Sequence, residues 1–155
     1  MIQLRRSTHT DNAQLARLRR RFFEENHMFT EEEQRLFEEQ TRAFLAEHLD
    51  DTLISWHAEK DNQLVAVAFL EIAERLPHPE RKHGRTGTIL NVYTEQEYRN
   101  QGIAGKLVQQ LLDEAVKLQL DKVELLATAL GYPVYKKLGF SEFSLSDKSM
   151  VKKLG

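Results

Sequence analysis

The stretch TILNVYTEQEYRNQGIAG, residues 88–105, decides the reading of this chain: an apolar run passes through a polar turn into a glycine-bearing helix start. Ile89, Leu90, Val92 and Tyr93 suit a pleated, buried strand. Asn100, Gln101, Gly102 and Gly105 let the backbone turn tightly and approach a ligand closely. A helix opening near Ile103 presents N–H groups without intrahelical partners. The macrodipole adds roughly half a positive charge at that end, so a phosphate docked there is stabilised. Arg99 stands just before the turn, in reach of a charge-assisted contact. The loop is not of the Walker type, because no GK[ST] appears, and Ala104 stands where the dinucleotide fingerprint has its second glycine.

The chain around this stretch has 155 residues, the size of one domain, and residues 1–155 are expected to share one core. Hydrophobic residues make up 41% and charged residues 30%, a globular balance with no segment apolar enough for a bilayer. The first ten residues, MIQLRRSTHT, lack the apolar core and cleavage site of a signal peptide, and cysteine is absent, so a cytoplasmic protein without disulfides or a thiol nucleophile is expected. A formal net charge of −2 and a pI near 6.3 give nucleic acid no global attraction. The most basic run, RLRRR at 17–21, is followed by Glu24 and Glu25 and reads as a solvated helix face with neighbouring charge pairs. Six histidines show no HExxH or similar ligand spacing, and no GxSxG elbow is present, which speaks against metal and serine chemistry.

Residues 2–6 alternate as a first strand, and Leu15, Leu18 and Phe22 form the buried stripe of a helix over 12–25. Thr30 followed by Glu33 is a capping-box pattern opening a second helix to about residue 48. Two strands, 53–59 and 64–73, flank a turn at 60–63, and the second is apolar on both faces until Glu71, which predicts a central place in the sheet. Residues 74–87 read as a long polar loop. After the helix from 102 or 103 to 118 come a strand at 122–128, a short helix ending at Gly139, and a final pair of strands at 140–143 and 148–153 around a turn at 144–147.

Arg99-Asn100-Gln101-Gly102-Ile103-Ala104 resembles the [RQ]-x-x-G-x-[GA] motif of the GCN5-related N-acetyltransferases, the GNAT superfamily. Downstream, Tyr132-Pro133-Val134-Tyr135-Lys136-Lys137-Leu138-Gly139-Phe140 is similar to the Y-x-K-L-G-F segment of that superfamily, in the right order and at the expected distance. The resemblance is sharp in the C-terminal half and rests on element order in the N-terminal half. It implies an α/β, three-layer fold with a mixed, mostly antiparallel sheet that splays open between its fourth and fifth strands, and helices on both faces.

Acetyl-coenzyme A would lie in that opening, with no metal. Backbone groups of Val92, Tyr93 and Thr94 would pair with the pantetheine arm, and the cradle formed by Arg99, Asn100, Gln101, Gly102, Ile103, Ala104 and Gly105 would hold the pyrophosphate. The implied reaction is direct acetyl transfer from the thioester to a primary amine of a small molecule or protein. Such an amine, with a pKa of about 10.4, is neutral in roughly one molecule per thousand or fewer near pH 7, so a base must assist. Glu71 is the first candidate and Glu95 the second. Asn91 is expected to hold water or substrate, and Phe29, Phe37 and Phe44 to wall the acceptor pocket or pack the core. The Val92 N–H would stabilise the oxyanion, and Tyr135 matches the family tyrosine that protonates the departing thiolate and lies beside the coenzyme. The resemblance also allows a homodimer through the last strands. The rival reading is a non-catalytic module of the same fold that senses acyl-CoA or engages a partner; the acceptor itself is not legible.

Overall fold

The computed structural model describes residues 1–143 and 146–155. Five strands form one sheet in the order β1-β2-β3-β4-β5: β1 (Gln3–Arg6), β2 (Leu53–Lys60), β3 (Gln63–Glu74), β4 (Arg85–Thr94) and β5 (Lys122–Glu124). The first four pair antiparallel and β4 with β5 parallel. β3 is central, as its two-sided apolar run predicts. Its odd residues Val67 and Phe69 face one core, and Ala66, Ala68 and Leu70 face the other. The β2–β3 turn places Asp61 and Asn62 at φ 52° and 64°, the left-handed pair that matches the twist of a two-residue hairpin.

The helices are α1 (Asn12–Glu24), α2 (Glu31–His48), α3 (Ile103–Lys117) and the short α4 (Tyr132–Lys137). α1 buries Leu15 and Leu18 against Val67, Phe69 and Tyr93 on one face of the sheet, with Leu45 of α2 in the same cluster. α3 buries Leu107, Val108 and Leu111 on the other face against Ala66, Ala68 and Leu70. Three layers result, because each helix has one apolar stripe and β3 has two apolar faces. The expected cap of α2 forms: the Thr30 side chain accepts from the Glu33 N–H at 3.1 Å.

Three strand expectations require correction. The strand expected at 122–128 ends at Glu124, and 140–143 and 148–153 are not strands. A ladder needs a partner edge, and β5 offers three residues. Phe143, Met150 and Val151 remain exposed instead of facing a core. The turn expected at 144–147 lies partly outside the described residues.

Candidate functional site

β4 and β5 hold the key feature of the fold. They pair only at Thr86–Lys122, Gly87–Val123 and Thr88–Glu124, after which β4 continues to Thr94 with no β5 residue beside it. Along Asn91, Val92, Tyr93 and Thr94 the β5 side of β4 is therefore open. Opposite β3 the register jumps from Phe69–Leu90 to Val67–Tyr93, so Asn91 and Val92 together face Ala68 in a bulge, with Asn91 at φ 51°. The bulge re-aims the Asn91 side chain towards α1, where its Oδ1 accepts from Arg19 Nε at 3.2 Å.

β4 leads through a 3-10 turn at Gln96–Tyr98 to the start of α3. Asn100 and Gly102 are both left-handed, φ 65° and 76°, and this double reversal turns the chain into the helix. Gly102 is the residue preceding the first helical turn, and a Cβ built there meets no atom within 4 Å, so the space in front of the helix N-terminus is open. Gly105 has a different reason to lack a side chain: its Cβ would lie 3.3 Å from Val134 Cγ1, which brings α4 against the first turn of α3. The free N–H groups of residues 102–105, the open approach and the absence of a side chain at Gly102 suit a diphosphate. Arg99, expected to add a contact there, is engaged elsewhere. Its Nε donates to the Thr94 carbonyl at 2.8 Å, its Nη2 pairs with Glu25, and its guanidinium lies 5.6 Å from the Tyr93 ring centre.

Tyr135 stands on α4, partly buried beside the cluster that contains Val92 and Ile103. Its ring meets Phe140 edge-on with centres 6.0 Å apart, and Gly131 exists without a Cβ where one would sit 2.8 Å from Tyr135 Cε2. Burial raises its pKa above the usual tyrosine value, so the hydroxyl keeps its proton at neutral pH. Among the described residues that hydroxyl has no hydrogen-bond partner.

On the α1/α2 side of the sheet a cavity of about 340 Å³ opens, and it brings together Glu71, Asn91, Phe37 and Phe44 from the sequence reading with Arg19 and Thr41. Glu71 is exposed at its mouth. Phe29 is not part of this wall; it stacks behind Phe37, ring centres 5.3 Å apart. Glu95 does not line this cavity: it is 8% exposed and clamped by Arg21 Nε at 2.8 Å, with Arg17 at 3.6 Å.

Arg19 is the functional candidate that sequence reading passed over. Arg17, Arg20 and Arg21 each pair with a carboxylate, as expected for a solvated face with charge pairs. Arg19 pairs with none among the described residues. Its Nη1 donates to Thr41 Oγ1 at 3.1 Å, and its guanidinium lies 5.1 Å from the Phe23 and 5.0 Å from the Phe37 ring centres. Burial lowers its pKa from the ordinary arginine value without removing the charge. The missed signal is periodic: residue 19 lies four after Leu15 and three before Phe22, on the buried side of α1.

A second cluster resembles a nucleophile array without being one. Ser7 Oγ is 2.8 Å from His57 Nδ1, and His57 Nε2 is 3.3 Å from Glu59 Oε2. Ser7 and His57 are both 0% exposed, so no substrate reaches the hydroxyl, and the array serves to join β1 to β2. Among the described residues no group of three or more metal-ligating side chains converges, and no helix is long and apolar enough to cross a membrane.

Comparison with known proteins converges on one family. Residues 12–140 match the model described as Acetyltransferase (GNAT) family. The crystal structure of a predicted acetyltransferase with acetyl-CoA from Clostridium acetobutylicum is similar at 31% identity and a TM-score of 0.82, over 98% of this chain and 96% of that one. A GCN5-related N-acetyltransferase from Ralstonia eutropha JMP134 shares the fold at 24% identity and a TM-score of 0.76, over 97% and 99%. Glucosamine-6-phosphate N-acetyltransferase from Arabidopsis thaliana shares it at 16% identity and a TM-score of 0.71, over 98% and 99%. No curated protein matches the chain in sequence.

Proposed function

The chain belongs to the GNAT acetyltransferase family, and from that premise we propose that residues 1–155 work as one N-acetyltransferase domain, transferring acetyl from acetyl-CoA directly to a primary amine. The observation that carries the reading is the parting of β4 from β5 after Thr88, which leaves a strand edge leading to the open helix start at Gly102. An extended pantetheine arm adds to such an edge as a strand would, hydrogen bonding to the backbone of Val92, Tyr93 and Thr94. The pyrophosphate docks on the amides of residues 101–105, and Arg99 shapes the loop through Thr94 and Glu25 instead of touching phosphate.

The acceptor enters from the α1/α2 cavity. Glu71 takes the ammonium proton, directly or through water, and the freed lone pair attacks the thioester carbonyl. The negative charge that develops on the carbonyl oxygen is met by the Val92 N–H, on the residue that shares the bulge with Asn91 opposite Ala68. As the C–S bond breaks, the Tyr135 hydroxyl gives its proton to the leaving thiolate, and the proton that the nitrogen sheds on becoming an amide restores the hydroxyl; burial, by keeping that hydroxyl protonated, supports the assignment.

The test is release of free coenzyme A thiol from acetyl-CoA across a library of primary amines, with acetylated product identified by mass. Amine-dependent release is expected. Tight coenzyme binding with no release for any amine would favour a non-catalytic acyl-CoA-sensing module.

A further inference from the structure

Arg19 sets a problem in physical chemistry that the proposed reaction does not solve. A guanidinium taken partly out of water is ordinarily matched by a carboxylate, because an unpaired buried charge is costly. Arg19 has two neutral acceptors, Asn91 Oδ1 and Thr41 Oγ1, and two aromatic faces, while its Nη2 has no partner among the described residues. It lines the cavity whose acid is Glu71, and the two are not in ion-pair contact. The same space thus offers a separate cation and anion, with apolar walls from Phe44, Leu45, Leu53, Phe69 and Leu90 between and around them.

We propose that the acceptor is a small apolar amino carboxylate, an amino acid in the simplest case, whose carboxylate docks on Arg19 while its amine lies by Glu71. The claim rests on the acetyl-transfer reading and names its substrate class. A cavity of about 340 Å³ lies at the small end of ligand sites and suits a single residue-sized molecule. One cation in the wall balances a monoanion, whereas a phosphate dianion calls for a second. Asn91 on Nε and Thr41 on Nη1 hold the guanidinium, which leaves both Nη2 hydrogens and the remaining Nη1 hydrogen for the carboxylate. The bulge then joins the two halves of the site: Val92 beside it faces the thioester in the proposed reaction, and Asn91 fixes the arginine for the acceptor.

The experiment compares matched pairs in the thiol-release assay: leucine, methionine and phenylalanine against their carboxamides, with O-phosphoethanolamine as the phosphorylated amine. The amine of a carboxamide is less basic and more often neutral, so basicity alone favours the amide. The proposal expects the free acids to have KM values about 10- to 100-fold lower than the amides, the range for a charge-assisted hydrogen bond. Arg19→Met should bring that ratio close to one, and Arg19→Lys should retain part of it. Equal use of acids and amides by the wild-type protein, or preference for the phosphorylated amine, overturns the proposal without need of a folded variant. If no amine at all releases thiol, the acetyl-transfer reading fails, and binding decides separately. Thermal stabilisation of the protein by the free acids, lost with the amides and in Arg19→Met, would uphold the anion site; its absence would overturn it.

Discussion

Gly102 precedes α3 with φ 76° and ψ 11°, and a methyl group built on it touches nothing within 4 Å. Gly102→Ala therefore costs backbone strain alone, about 1–2 kcal/mol for an L-residue held left-handed. For a chain of this size that lowers Tm by roughly 2–8 °C, at about 2–4 °C per kcal/mol. Gly102→Glu carries the same strain and adds a negative charge in front of the helix N-terminus. At about 5 Å from a phosphate, one such charge repels by about 3 kcal/mol at an effective dielectric of 20 and by under about 1 kcal/mol in water. The position is exposed, so a value between these, about 1–2 kcal/mol, is expected. Calorimetric titration with coenzyme A should then give a Kd about 5- to 30-fold weaker for the Glu variant than for the Ala variant. The gap should narrow as salt is raised, since the Debye length falls from about 10 Å at 0.1 M to about 3 Å at 1 M. Using Ala as the reference removes the strain common to both. Equal Kd values for two folded variants would show that the phosphates do not lie at this loop.

Two other perturbations address different parts of the molecule. Tyr135→Phe removes a hydroxyl with no hydrogen bond among the described residues, so stability should hold within about 0.5 kcal/mol, while kcat falls about a hundredfold or more and loses its alkaline limb. Unchanged turnover at saturating substrate would end the assignment of Tyr135 as the acid. Acid should destabilise the fold through His57, whose pKa is lowered by burial and then by Arg5, against a partial opposing pull from Asp11 and Glu59. A depressed imidazole means that the unfolded chain takes up the proton first, so stability is complete above about pH 6.5 and is lost as pH falls from there towards the folded value. The slope reaches at most about 1.4 kcal/mol per pH unit. Asp11 and Glu59, both lowered, add their losses only below the ordinary carboxylate range. Urea midpoints measured from pH 7.5 to 5 should hold to about pH 6.5 and then fall; a flat profile between pH 6.5 and 5 would contradict the sealed, neutral imidazole.

What the residues determined alone was local and periodic. The 3.6-residue stripe of α1, the Thr30 cap, the two-faced run of β3 and the left-handed turn into α3 each depend on neighbours within a few positions, so each is legible in the sequence. The family motifs at 99–104 and 132–140 belong to the same class of signal, and they mark the side of the site proposed for the coenzyme. Tertiary structure decided the charges. Whether an arginine is paired depends on partners far along the chain: Arg21 meets Glu95, 74 residues away, and Arg19 meets Asn91, 72 residues away, and Thr41, 22 away. Nothing in RLRRR distinguishes Arg19, left without a carboxylate among the described residues, from the three arginines that have one. The parting of β4 from β5 and the bulge at Asn91 are likewise decided by which edge each strand finds, and so is the absence of strands among the described residues after α4. Local steric preference writes the elements; the energy of burying charge and of completing backbone ladders, settled only when distant segments meet, writes the site.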